Sequence, residues 1–174
     1  IGGTNSGTAL AVAKIAEEAV ARFCAREFHI PVTIARMGAA YGPRGGLPVF
    51  LSQAVAAHAP VVTRCDPCPY NPIHDDDMLA HVGPLLAAAS VPATVVNWGG
   101  DEMVSIQDIV GWAAELLGMT AVVEVRPVPG ASLGSGVHSG KRMGITGPCK
   151  VGWREGLRRS LTALYPDRVA PAEV

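Results

Sequence analysis

The chain has 174 residues, enough for one domain with a substantial buried core. Lys and Arg number 14 against 15 Asp and Glu, a formal net charge of −1, so no basic excess is available for nucleic acid. With 49% hydrophobic and 17% charged residues the chain is not of the disordered class, and no apolar run reaches the roughly 18–20 residues of a membrane span.

The first predicted element is a long helix, Thr4 to Phe28. Leu10, Ile15, Ala19, Val20 and Phe23 keep to one face, and Lys14, Glu17, Glu18, Arg22, Arg26 and Glu27 supply polar positions. Asn5 and Ser6 are candidate N-caps. Pro31 ends it, and Val32–Ala35 reads as a short β-branched strand of the buried parallel kind. Residues 36–46 read as a Gly-rich loop, Leu47–His58 as a helix, Pro60–Thr63 as a strand and Arg64–Pro72 as a loop. One of Asp75, Asp76 and Asp77 is expected to cap a helix reaching Ala89, and acids there suit the positive helix pole. A strand over Val91–Asn97 stops at Gly99 and Gly100. Ser105 caps a helix over Ile106–Leu117, with Gly118 as its C-terminal stop. Ala121–Arg126 is a strand, residues 127–148 a loop, Trp153–Tyr165 an amphipathic helix, and residues from Pro166 a tail. Strands alternating with helices of 10–15 residues predict a parallel, layered α/β sheet.

There is no GxGxxG between a strand and a helix, so the sequence offers no pyrophosphate cradle. No charged-then-apolar leader opens it, which predicts no signal peptide. Four cysteines are too few and too unevenly spaced for a disulfide scaffold. A reducing cytoplasm is the expected location.

Several segments taken together carry a resemblance. They are Lys14-Ile-Ala-Glu-Glu18, Pro31–Arg36, Tyr41-Gly-Pro-Arg44, Ile73-His-Asp-Asp-Asp77, Asn97-Trp-Gly-Gly100 with Val104-Ser105, and Gly152-Trp-Arg-Glu-Gly156. In order and spacing this set resembles the C-terminal half of an extended short-chain dehydrogenase/reductase, of the NAD-dependent epimerase/dehydratase family. The match runs from Lys14 to Tyr165. The resemblance implies a partial Rossmann-like parallel sheet with helices and a small C-terminal substrate lobe. It assigns residues 1–63 to the Rossmann-like domain and 64–174 to a mixed substrate-binding lobe with a returning Rossmann strand. It implies NAD or NADP in a complete protein, a nucleotide-linked or other sugar-like substrate, an N-terminal cofactor half outside this sequence, and a homodimer built on the Lys-bearing helix. The chain alone is expected to bind no dinucleotide tightly.

By the same resemblance Lys14 would orient the nicotinamide ribose and lower the pKa of a Tyr one helical turn before it. That position holds Leu10, which cannot move a proton. Arg36 matches an Arg of the family, but the following Asn position is Ala39. Gly38, Ala39 and Tyr41 would border the nicotinamide. Arg44, Tyr70, Asn71 and His74 would border the substrate, with Tyr70 where the family often has a phosphate-binding Arg. Asp76 and Asp77 match an acidic pair that caps a helix and pins a loop. Tyr41 is either a packing aromatic or a displaced acid/base. Three altered site positions leave two readings open: a divergent enzyme, or a cofactor-free, non-catalytic remnant or partner subunit acting by association. A cofactor-independent isomerase or cyclase is a third.

Cys65-Asp-Pro-Cys68 is a CxxC that could be drawn with His74 and Cys149 as a zinc site. A second CxxC is missing, so ordinary loop thiols are the favoured reading, ahead of a metal site and, after that, a redox dithiol, and no metal ligand is assigned. His29, His58, His81 and His138 are scattered, and Trp98, Trp112 and Trp153 read as packing residues.

Overall fold

The computed structural model describes residues 9–129 and 133–169. The expected caps Asn5 and Ser6 lie outside the described residues. In chain order the elements are α1 (Ala9–Glu27), β1 (Thr33–Met37), β2 (Ala39–Gly42), β3 (Gly45–Gly46), α2 (Leu47–Ala56), β4 (Val61–Thr63), β5 (Pro69–Tyr70) and β6 (Pro72–His74). There follow α3 (Asp75–Ala87), β7 (Thr94–Trp98), β8 (Val104–Ser105), α4 (Ile106–Leu117), β9 (Val123–Val125), α5 (Gly140–Thr146) and α6 (Trp153–Leu164).

The architecture is α/β with parallel pairing, as expected, but the strands form four small sheets instead of one. β1 lies parallel to β7, with Thr33 opposite Thr94 and Met37 opposite Trp98. β2 is parallel to β6 and antiparallel to β3. β4 runs parallel to β9, and β5 antiparallel to β8. β7 begins at Thr94, not Val91, because Pro92 has no N–H to give to a ladder.

Three expected loops are corrected. Residues 39–46 contain β2 and β3, the 64–72 loop contains β5 and the start of β6, and residues 140–146 form α5. None has a usable apolar period. β2 exists because Ala39–Tyr41 find non-local partners in Pro72–His74, and α5 holds a fully buried arginine, Arg142.

The core lies among α2, α4 and α6. Val49, Val55, Ile109, Val110, Leu157 and Leu161 are all buried there, each contributing about 1.5–3 kcal/mol by burial. α4 has the Ser105 N-cap predicted for it, and the structure extends it to a capping box with Asp108. The Asp108 N–H donates to Ser105 Oγ, and the Ser105 N–H donates to the Asp108 carboxylate, at 3.0 Å each. Gly118 closes it with φ 63°, where a side chain would be strained.

α1 departs from this pattern. Of its 19 residues only Ala25 is fully buried. Leu10, Val20 and Phe23 of the predicted apolar face are exposed at 70%, 60% and 59%. Among the described residues β1 pairs only with β7, so its second edge is open. No helix of the described residues is long and apolar enough to cross a membrane.

Candidate functional site

Lys14 stands on the exposed side of α1, where its ammonium donates to Glu17 Oε2 at 2.8 Å. It lines a groove of about 670 Å³ between α1 and β1, with Glu17, Glu18, Ala21, residues 32–37 and Trp98. Leu10 precedes Lys14 by one helical turn, so the two share a face. Glu18 fastens the helix to the strand. Arg36 donates to it through Nε (2.8 Å) and Nη2 (2.7 Å), and Arg22 adds a bond at 2.8 Å. These guanidinium bonds, that of Arg36 foremost, lower the Glu18 carboxyl to about 2. A second opening of about 360 Å³ lies beside Arg22, Arg36, His138 and Lys141, with residues 95–97. Its cationic lining suits an anionic group.

The other expected residues gather where β2 meets β6. Register sets Ala39 opposite Pro72 and Tyr41 opposite His74. Gly38 gives its N–H to the Trp98 carbonyl at 2.9 Å and packs beside Asn71. The stretch expected to border a nicotinamide therefore runs alongside the stretch expected to border a substrate. The groove beside Lys14 reaches Met37 and Trp98, the chain neighbour and the hydrogen-bond partner of Gly38.

Tyr41 is buried, its hydroxyl donates to the Trp153 carbonyl at 3.1 Å, and its ring meets His74 edge-on. Burial, helped by the charges of Asp77, Glu102 and Asp75, pushes the phenol well above its ordinary range. Such a phenol holds its proton, so of the two roles the packing one fits. Arg44 is exposed in the turn between β2 and β3. Tyr70 is half-buried, and burial raises its phenol too. The Asn71 amide donates to the Glu102 carbonyl at 3.2 Å and to the Gly100 carbonyl at 3.4 Å, and accepts from the Val137 N–H at 2.7 Å. Its side chain holds three loop segments together.

His74, not an aspartate, is the N-cap of α3. The Asp76 N–H donates to His74 Nδ1 at 3.2 Å. Its Nε2 is buried without a hydrogen-bond partner among the described residues. Asp77 does pin a loop, accepting the N–H groups of Lys150 (2.7 Å) and Val151 (3.0 Å).

Sequence reasoning did not foresee the polar cluster around Asp77. His81 and Cys149 bring their ligating atoms within 4.8 Å of one another and of the Asp77 carboxylate. The only sequence signal is His81, one turn after Asp77 on α3. Arg142 pairs with Asp101, which also accepts the Cys149 N–H at 2.8 Å. Burial would raise the Asp101 carboxyl, but the bonds from Arg142 and Cys149 outweigh it and bring it below the usual range. Burial pushes the Cys149 thiol up to about 11 and moves His81 down. His81 Nδ1 accepts from the Trp98 indole at 3.3 Å. A protonated thiol and a carboxylate already engaged by two amides fit a structural network better than a metal centre. The four residues of the drawn zinc site fall in separate clusters: Cys149 with Asp77, His74 with Asp75 and Asp76, and Cys65 with Cys68.

No family model matches the chain, and no curated protein matches it. Solved structures do. The UDP-glucuronic acid 4-epimerase of Bacillus cereus, in complex with UDP-glucuronic acid and NAD, superposes with a TM-score of 0.76 at 23% identity, over 90% of this chain and 52% of that one. The Thermus thermophilus UDP-glucose 4-epimerase, in complex with NAD, gives 0.72 at 24%, over 88% and 52%. The Streptomyces venezuelae dTDP-glucose 4,6-dehydratase, with NAD bound, gives 0.72 at 21%, over 91% and 51%. The chain spans about half the length of these structures. Its fold is the partial Rossmann-like α/β fold that these structures share with it.

Proposed function

We propose that the chain is the substrate-side half of an NAD(P)-dependent epimerase or dehydratase acting on a sugar-like or nucleotide-linked sugar substrate. The observation that carries this reading is the β2–β6 register, which brings Gly38–Tyr41 beside Asn71–His74 in a fold shared with enzymes solved with NAD and nucleotide sugars. On this reading residues 1–63 complete a cofactor domain, residues 64–174 form the substrate lobe with β7 returning to β1, and the protein works in the cytoplasm.

The residues present fit one end of a dinucleotide. Lys14, exposed at the groove, suits a ribose hydroxyl, and the backbone of Gly38 and Ala39 suits the nicotinamide edge. Tyr41 contributes by holding β2 in place. No Gly-rich turn between a strand and a helix cradles a pyrophosphate among the described residues. When bound in a complete enzyme, the cofactor supplies removal and return of a hydride. Around the substrate, Arg44 offers a charge to phosphate and Tyr70 offers a hydrogen bond, while the buried Asn71 and His74 hold the backbone that borders it.

The phenol that would move the proton is replaced by Leu10. Joining the chain to the dinucleotide-binding half of a matched epimerase should give slow turnover of a UDP-sugar. Leu10→Tyr should raise that turnover by about 10²-fold or more, the usual scale of general acid–base catalysis. An unchanged rate would contradict the role given to this position.

A second reading is a non-catalytic partner subunit. The bare apolar face of α1 favours it, and so does Leu10. α1 also carries closely spaced alanines, Ala9, Ala13, Ala16 and Ala19 among them, that would allow a second helix to approach in a homodimer.

A further inference from the structure

The CxxC loop plays no part in the function proposed above, yet its geometry is tightly specified. Cys65 and Cys68 are both free thiols at the two ends of one short loop, near enough for Cys65 to help raise the Cys68 thiol. Cys68 is buried against the core and Cys65 is partly open to solvent. A single side chain, Gln107 at the start of α4, clamps both ends of the loop. Its amide donates to the Cys65 carbonyl at 2.9 Å, and its oxygen accepts the Cys68 N–H at 3.1 Å. The Thr63 hydroxyl also donates to the Cys65 carbonyl, at 3.0 Å, and the Ile106 N–H to the Cys68 carbonyl, at 2.9 Å. Among the described residues neither thiol joins a cluster of metal-ligating groups, so the pair lacks the further ligands a zinc site requires.

From this arrangement we infer that Cys65 and Cys68 are a dithiol modification site, closed to an intramolecular disulfide by a hydroperoxide, with Gln107 as its positioning residue. Cys65, the accessible partner, is the first to react. Its thiolate attacks one peroxide oxygen, the O–O bond breaks, and Cys65 becomes a sulfenic acid while hydroxide leaves. The Cys68 sulfur then attacks the Cys65 sulfur. The S–S bond forms, and the sulfenic oxygen leaves as water with the Cys68 proton. Two thiols lose two electrons and the peroxide gains them. The loop leads directly into Tyr70 and Asn71, so the bridge would stiffen one wall of the proposed substrate region without moving α4.

The test uses the full reduced chain with hydrogen peroxide, followed by unfolding, alkylation and peptide mass analysis. Two of the four thiols should be lost together, as a bridge within the single peptide that contains Cys65 and Cys68, and dithiothreitol should restore both. Gln107→Ala should slow closure about tenfold, because the clamp that holds the sulfurs in register is gone. The wild-type result stands even if that variant folds poorly. Four alkylated thiols after treatment would overturn the inference. So would a bridge to Cys24 or Cys149, a sulfinic acid at Cys65, equal closure rates in a folded Gln107→Ala, or stoichiometric protection of both thiols by zinc ions.

Discussion

Glu18 carries two arginines on one carboxylate, and that ratio decides how α1 stays against β1. Its carboxyl sits at about 2 against an ordinary 4.5, so on acidification the unfolded chain takes up the proton first. The stabilisation is therefore complete above about pH 4.5 and is lost as pH falls toward 2. Both guanidinium groups are well solvated, which limits the benefit to about 1–2 kcal/mol. Glu18→Gln should lower urea-unfolding stability by that amount at pH 7 and by much less near pH 3. Equal losses at both would remove the ion pairs from the account. Residue types were readable where a motif framed them, as with Lys14 and Tyr41. The joining of Cys149 to Asp77 and His81, and of Arg142 to Asp101, was not, because Arg142 lies 41 residues from Asp101, and Asp77 holds the segment just after Cys149 across 73 and 74 residues.

At the scale of elements, α6 shows how closely the proposed substrate lobe is packed. A methyl group built on Gly156 would overlap the Tyr41 hydroxyl and press on the His74 ring at 2.9 Å. Gly156→Ala should therefore cost about 1–3 kcal/mol by overpacking, read as a lower thermal midpoint. Tyr41→Phe removes the overlapped oxygen, so the double variant should lose less than the sum of the two single losses. Strict additivity would mean that the helix simply shifts away. α4 and α6 were legible because burial recurs every three or four residues and because Ser105 and Gly118 mark the ends of α4. β2 and α5 were not. A Gly/Ala strand has no side-chain alternation to read, and a helix anchored by one buried arginine has no apolar stripe. The aspartates of the first turn of α3 looked like caps, but His74, just before them, accepts the Asp76 N–H at Nδ1 and fills the role.

For the whole molecule, apolar side chains are exposed on several elements, and α1 with β1 is one place where they adjoin an open strand edge. Exposed Leu10, Val12, Val20 and Phe23 on α1, the free edge of β1, and the groove between them form a single apolar margin. The α/β class and the approximate order of elements were legible from the alternating pattern. The division into four small sheets was not, since pairing between distant short strands leaves little trace in local sequence. Such a margin predicts self-association of the isolated chain, visible by size-exclusion chromatography with light scattering. Replacing Val20 and Phe23 by Glu should return it to a monomer. A wild-type chain that is monomeric at high concentration would count against an interface on α1. The most direct test of the central claim is calorimetric titration of NAD and NADP. The isolated chain should show no binding at micromolar concentrations, and the chain joined to a dinucleotide-binding half should bind and weaken about tenfold on Lys14→Met, the loss of one charge-assisted hydrogen bond. Micromolar binding by the isolated chain, or a joined chain indifferent to Lys14, would contradict it.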